Sequence, residues 1–226
     1  MEYGNIKYGE FISRKNRFTA VVKTEGETVE VHVKNTGRCR EILVPGARVI
    51  LETNDSPSRK TKYDLVAAYK GERLFNIDST APNKVFGEWV VKSGFFGDIS
   101  YIKPECTYKK SRFDFYIEAD GRKIFVEVKG STKEIDGVMS FPDAPTERGI
   151  KHVNELCDCI FEGYEAYVFF VVQTEGVKYF TPDREIHPEF ADALSEARKR
   201  GVNVVCVDCK VFENGMEIKN FVDVKL

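Results

Sequence analysis

The sequence predicts an α+β chain of two domains, a small β-barrel or sandwich over residues 1–80 and a mixed α/β domain over residues 81–226. Three observations carry this. Short alternating runs with turns between them fill residues 7 to 78. The first helical signal comes only at Ala81-Pro82-Asn83. Beyond it, helical stripes interleave with a hairpin and two apolar runs, giving the order β-β-β-α-β-α-β after the first helix.

In the first half, Tyr8 to Val22 reads as two strands around Arg14-Lys15-Asn16-Arg17. Thr28 to Lys34 alternates cleanly, with Val29, Val31 and Val33 on one face. Ala47 to Thr53 follows a Pro45-Gly46 turn, and Tyr63 to Tyr69 and Leu74 to Ile77 flank Lys70-Gly71-Glu72. Strands this short and this closely spaced suggest a sandwich or barrel, for which the OB-fold is the natural candidate. OB-folds take single strands in a groove with aromatic platforms and basic rims. Arg14, Lys15, Arg17, Arg38, Arg59, Lys60 and Lys62 are the candidate nucleic-acid contacts, with Phe18, Lys34 and Arg40 nearby in sequence. The Ser56-to-Lys62 loop is the most basic stretch. Each such residue read alone also fits a solvated strand or hairpin tip.

Charge points the same way. The net charge of −2 carries no global polyanion signature. Up to Thr80, however, there are 14 Lys+Arg against 11 Asp+Glu, a net of +3, so the first domain is the expected polyanion contact.

In the second half, Val85, Phe86, Trp89 and Val90 form a helical stripe that Gly94 ends. The centre of the chain is Arg112 to Gly130, where two alternating runs flank Asp120-Gly121, a two-residue type I′ hairpin signal. With that pair as the loop, Ala119 faces Arg122, Ile117 faces Ile124, Phe115 faces Val126 and Asp114 faces Glu127. Phe113, Phe115, Ile117, Ile124, Val126 and Val128 then share a core face. Asp114, Glu127 and Lys129 share the other. Opposed Cβ atoms lie about 5 Å apart, where like charges repel. Two opposed carboxylates beside a lysine call for a cation, and two hard oxygen donors suit Mg²⁺ or Mn²⁺. The competing reading is a solvated strand face. Tyr116 and Phe125 on that face argue that another element covers it.

After a short strand at Val138 to Phe141, the segment Phe141-Pro142-Asp143-Ala144-Pro145-Thr146 leads into a helix with an Ile150, Val153, Cys157, Ile160/Phe161 stripe. Asp143 is a candidate cap. A helix start with Arg148 and Lys151 near it favours a phosphate. Ala166 to Gln173 reads as a strand buried on both faces. If that strand is parallel to its neighbours, Gln173 lies at the carboxyl edge where α/β sheets bind ligands. A helix at Pro188 to Arg200, a strand at Val202 to Val207 and strand-like tail segments complete the chain.

Asp114 followed by Glu127-Val128-Lys129 resembles the D…ExK signature of the PD-(D/E)xK nucleases. The stretch from Gly137 to His152, with Asn35-Thr36-Gly37-Arg38 upstream, resembles the sugar fermentation stimulation family over nearly the whole chain. That resemblance implies an N-terminal OB-like domain joined to a PD-(D/E)xK-like domain, in proteins described as DNA-binding and regulatory. It implies a metal held by Asp114, Glu127 and the Val128 carbonyl, with Lys129 catalytic. It also implies a first-helix acid at the position of Glu88, and functional roles for Asp143, Glu147, Arg148 and Lys151. Two readings follow: a metal-dependent deoxyribonuclease, or a non-catalytic DNA-binding regulator of sugar metabolism on a nuclease-like fold. A third, an enzyme acting on a small phosphorylated ligand, lacks a phosphate-cradling Gly-rich loop.

Met1 to Asn5 hold no apolar segment and no run reaches membrane-spanning length, so a cytoplasmic protein without membrane contact is expected, its six cysteines reduced. Cys157/Cys159 and Cys206/Cys209 lack the Gly or Pro context of a metal knuckle.

Overall fold

A computed structural model describes residues 1–54 and 59–226. Ser56, Pro57 and Ser58, the tip of the expected basic loop, lie outside the described residues. The first six strands are β1 (Ile6–Asn16), β2 (Thr19–Thr24), β3 (Glu27–Val33), β4 (Arg48–Thr53), β5 (Tyr63–Lys70) and β6 (Arg73–Asn76). They pair in the order β3-β2-β1-β4-β5-β6. A short parallel pairing of β3 with β5, at His32↔Asp64 and Val33↔Leu65, closes the sheet into an OB-like barrel. Closure leaves β1 to β5 without an open edge. Register shifts in β1 beside Phe11 and Arg14 add the twist that closing so small a barrel demands. Phe11, Val22, Val31, Val33, Val49, Leu51 and Leu65 fill its interior.

The rest comprises α1 (Ala81–Ser93), β7 (Ile99–Tyr108), β8 (Ser111–Ala119), β9 (Arg122–Ser131), β10 (Lys133–Ile135), β11 (Val138–Phe141), α2 (Glu147–Phe161), β12 (Glu165–Val172), β13 (Tyr179–Pro182), α3 (Pro188–Lys199), β14 (Asn203–Phe212) and β15 (Gly215–Phe221). The main sheet runs β15-β14-β12-β9-β8-β7, with β12 parallel to both neighbours. A small sheet, β10-β11-β13, lies apart from it. Strand β12 is buried on both faces, as its composition predicts. Val168, Phe170 and Val172 enter the core that holds α2 and α3, while Phe169 and Val171 meet α1. Helix α1 starts with Pro82 in its first turn, where the missing N–H is no loss, and stops at Gly94, whose φ of 66° is the left-handed cap.

Strands β7, β10 and β13 leave no clear mark in the sequence. Strand β7 is the sheet edge, mostly exposed and carrying Pro104, so it shows neither alternation nor an apolar run. No helix among the described residues is long and apolar enough to cross a membrane.

The two halves are joined by buried polar contacts. On the barrel side of the join, Asp78, fully buried, accepts from the Thr80 N–H and hydroxyl at 2.8 Å and pairs with Lys34 at 2.8 Å. Gln173, at the carboxyl end of the parallel strand β12, donates from Nε2 to Asn76 Oδ1 at 2.9 Å and to the Asp78 carbonyl at 3.0 Å. Lys70 of the barrel pairs with Glu134 of β10 at 2.7 Å.

Candidate metal and nucleic-acid site

The hairpin turns as predicted, with Asp120 at φ 48° and Gly121 at φ 75°, both in the region a type I′ turn requires. The ladder follows residue by residue from Ala119↔Arg122 to Phe115↔Val126. There the pairing ends, and the expected face-to-face pair of Asp114 and Glu127 is replaced by a different arrangement. Phe113 does not share the core face of Phe115. It packs with Phe125 on the α2 side, while Phe115 packs under α1. The alternation slips at Asp114, beside the point where Glu105 of the neighbouring strand sits at φ 52° between the pairs Pro104↔Phe115 and Cys106↔Phe113.

The slip lets the Asp114 carboxylate take the place of a ladder partner. Its Oδ2 accepts from the Val128 N–H at 2.7 Å, and its Oδ1 from the Asn83 amide in the first turn of α1 at 2.7 Å. A strand residue sends its N–H and C=O to the same side, so the Val128 carbonyl also projects toward β8 past the last ladder pair. Burial, together with the nearby Glu127 charge, raises the Asp114 carboxyl above its ordinary range.

Glu127 is 2% exposed and points to the α2 side. Its Oε1 accepts from both Lys129 Nζ and His152 Nδ1, while its Oε2 is buried with no hydrogen-bond partner among the described residues. Burial works to raise this carboxyl, but the His152 hydrogen bond and the Lys129 charge outweigh it and hold Glu127 below its ordinary value. Arg148 Nε donates to His152 Nε2 at 3.4 Å, which leaves the imidazole proton on Nδ1, aimed at Glu127. Arg148, His152 and Glu127 therefore form one chain into the site. His152 and Asn83 belong to this cluster, although sequence reasoning did not single them out. The signal for His152 was its place one turn after Arg148, on a helix that had to cover the face carrying Glu127.

A divalent cation fits these residues in one respect that can be read directly. An anionic oxygen is buried without a donor among the described residues, near a second, half-buried carboxylate whose charged form is disfavoured, and both are hard donors. Among the described residues no group of three or more His, Cys, Asp or Glu is arranged to hold a metal, so the protein supplies at most a partial shell. That is the habit of Mg²⁺-type sites, which keep several waters.

Other expected residues go elsewhere. Glu88 is half exposed and pairs with the Met1 amino group at 2.7 Å, so α1 contributes Asn83 rather than an acid. Asp143 does not cap α2. Thr146 does, accepting from the Gly149 N–H at 3.1 Å. Glu147 is exposed and approaches His187 at 3.4 Å. Lys151 donates to the Lys110 carbonyl at 3.1 Å. Gln173 joins the two halves, as described, and lines a cavity of about 170 Å³ that reaches Gly130, the residue after Lys129. All six cysteines are free. Cys206 and Cys209 enter opposite cores, as their spacing predicts, and Cys159, expected off the helix stripe, is buried as well.

The basic residues of the barrel divide by partner. Arg14 is consumed internally, its guanidinium donating to the carbonyls of Asn16, Arg17, Asn35, Gly37 and Arg38. Lys15 pairs with Glu30, and Arg59 forks onto Asp64 at 2.6 and 2.8 Å. Lys62 lies over the Tyr63 ring, and Lys60 is exposed. The side chains of Arg17, Arg38 and Arg40 have no hydrogen-bond or ion-pair partner among the described residues, and all three line a cleft of about 590 Å³ between the barrel and Phe141–Thr146. There Asp143 Oδ2 accepts from the Arg38 N–H at 2.8 Å. The approach depends on Gly37, since a Cβ on it would sit 2.3 Å from that oxygen.

Comparison with known proteins matches two family models to the chain. The model of the SfsA N-terminal OB domain matches residues 12–77, and that of the sugar fermentation stimulation protein RE domain matches residues 80–215. A sugar fermentation stimulation protein homolog of Clostridium beijerinckii is 53% identical over 226 residues, covering 100% of both chains. One from Desulfitobacterium hafniense is 54% identical, covering 100% of this chain and 99% of the relative. The solved structure of Pyrococcus furiosus SfsA in complex with Ca²⁺ superposes with a TM-score of 0.91 at 26% identity, covering 100% of this chain and 98% of that one. With both halves matched by the family's own models and half of its residues shared with full-length relatives, this chain belongs to the sugar fermentation stimulation protein family.

Proposed function

We propose that this protein is a divalent-metal-dependent nuclease acting on DNA, with its reacting centre at Asp114, Glu127 and Lys129 and its strand contacts on the barrel. The observation that carries the reading is the buried, partnerless Glu127 Oε2 beside a second carboxylate. Buried polar groups are ordinarily hydrogen-bonded, so an anionic oxygen without a donor beside a second carboxylate fits a bound cation. The Pyrococcus furiosus relative is described in complex with Ca²⁺, a hard cation of the same ligand preference as Mg²⁺ and Mn²⁺.

Glu127 Oε2, Asp114 and the Val128 carbonyl would hold the ion. When bound, it supplies Lewis-acid polarisation of a phosphodiester oxygen and eases ionisation of the attacking water. The remaining work falls to side chains. His152 and Lys129 both bond to Oε1, so Glu127 is held with Oε2 free. Asn83 and the Val128 N–H orient Asp114 in the same way. Lys129 places a positive charge where negative charge develops on the phosphoryl group. Arg148 sets the tautomer through which His152 grips Glu127.

The second reading, a DNA-binding regulator without catalysis, is favoured by one observation: the Lys129 ammonium already balances the Glu127 charge within the fold, and His152 bonds to the same oxygen. Cleavage of single- and double-stranded DNA with Mg²⁺ or Mn²⁺, compared between wild type and Glu127→Gln, separates the two. Metal-dependent cutting by wild type that the variant loses is the expected result. Equal cutting by both proteins removes Glu127 from the reaction, and cutting by neither over broad substrates supports the regulator.

A further inference from the structure

The arginine cleft has two chemically different walls. On the barrel side stand Arg17, Arg38 and Arg40, none of them committed to a carboxylate or carbonyl among the described residues. On the other side are Phe141, Pro142, Ala144 and Pro145, which offer rings and methyls but no side-chain charge. Asp143 adds one carboxylate at the floor, outnumbered by the three guanidiniums, with its Oδ2 already accepting from the Arg38 N–H. The cleft is held open by fixed parts. Arg14 clamps the 35–38 loop through the carbonyls of Asn35, Gly37 and Arg38, and Asp143 ties that loop to the opposite wall.

We infer that this cleft takes single-stranded nucleic acid, with phosphates on the arginine wall and bases against the proline–phenylalanine wall. The inference rests on the nuclease reading for its substrate class and adds the strand form. A duplex turns its base faces inward, so the apolar wall would meet only sugar and phosphate. An unpaired strand can splay its bases onto that wall while its phosphates reach the guanidiniums. The volume of about 590 Å³ agrees, being that of a pocket which buries a ligand of drug size, on the order of a nucleotide or two of one strand. The small cavity that reaches Gly130 shares Thr36, Gly37, Phe141 and Asp143 with the cleft, so the cleft continues toward the carboxyl end of β9.

The test is fluorescence anisotropy in EDTA, so that nothing is cut, with a labelled oligothymidylate and a blunt duplex of equal length. Wild type is expected to hold the single strand at least about ten-fold more tightly. The combined Arg17→Ala, Arg38→Ala, Arg40→Ala variant is expected to lose that preference. Its slope of log K against log salt should fall by about 2, since each phosphate contact on a single strand contributes about 0.7. The three side chains have no hydrogen-bond or ion-pair partner among the described residues, so its Tm should match wild type. The matching Arg→Lys variant should keep most of the slope, which separates loss of charge from loss of fold. Equal or tighter duplex binding, or an unchanged slope in the alanine variant, overturns the inference. A parallel cleavage assay with Mn²⁺ tests the nuclease reading separately. Single-strand binding that depends on the arginines, in a protein that cuts nothing, would sink that reading and leave this one standing.

Discussion

Replacing Glu127 by Gln should abolish the thermal response of this protein to divalent cations. Gln keeps the size of the side chain and an acceptor for Lys129 and His152, but it presents an amide where Glu127 has a second anionic oxygen. That oxygen is buried and unpaired in the fold. An unsatisfied buried polar group costs about 1–3 kcal/mol, more when charged, and a cation that pairs it recovers the cost. Mass action gives the same scale, about 2.7 kcal/mol at a ligand concentration 100 times Kd. For a chain of 226 residues each kcal/mol moves Tm by roughly 2–4 °C. Saturating Mn²⁺ or Mg²⁺ should therefore raise the wild-type Tm by about 2–12 °C over EDTA, and leave that of Glu127→Gln where it was. Differential scanning calorimetry with and without the ion reads this directly, and it is independent of any substrate. An equal rise in both proteins would place cation binding elsewhere and refute the argument from the orphaned oxygen.

Three further outcomes follow from the same contacts. Gln173→Ala removes two buried hydrogen bonds between the halves and should cost about 2 kcal/mol, read as a Tm lower by roughly 4–8 °C with the cleft's arginine chemistry untouched. Gly37→Ala puts a Cβ against Asp143 Oδ2, so it should weaken oligonucleotide binding while changing metal-induced stabilisation little. Burial works to raise the Glu134 carboxyl, but the Lys70 hydrogen bond, the Gly137 N–H and the charges of Lys70 and Arg73 hold it below its ordinary 4.5. A carboxyl lowered by folding stabilises above its unfolded pKa and loses that contribution as pH falls through the folded value. Wild-type Tm should thus decline below pH 4.5 more steeply than that of Glu134→Gln, and parallel curves would rule the pair out as a contributor.

Much of the architecture is legible along the chain because the information is local. Asp120-Gly121 sets both positive φ values and hence the register of β8 on β9. Gly94 ends α1 in the left-handed region, and the unbroken apolar composition of β12 announces a strand covered on both sides. The site is legible only in outline. Asp114, Glu127 and Lys129 stand out by spacing, yet strict alternation puts Phe113 and Phe115 on one face, whereas the strand slips at Asp114. Opposite it stands Glu105 at positive φ in β7, an exposed edge strand that the sequence barely marks. Arg14 looks like its basic neighbours by composition, and only its five carbonyl partners show that it holds a loop rather than a ligand.

Backbone preference and hydrophobic period act over a few residues, so the order of strands and helices, the reversal at residues 120 and 121, and the two acids with their lysine are all written into the chain itself. Which charges are spent and which are free is decided by packing. His152 reaches Glu127 from 25 positions away, Asp143 meets Arg38 across the join between the halves, and one oxygen of Glu127 is left without a donor once α2 has closed over it. Those pairings depend on distance in space, which a one-dimensional pattern does not encode.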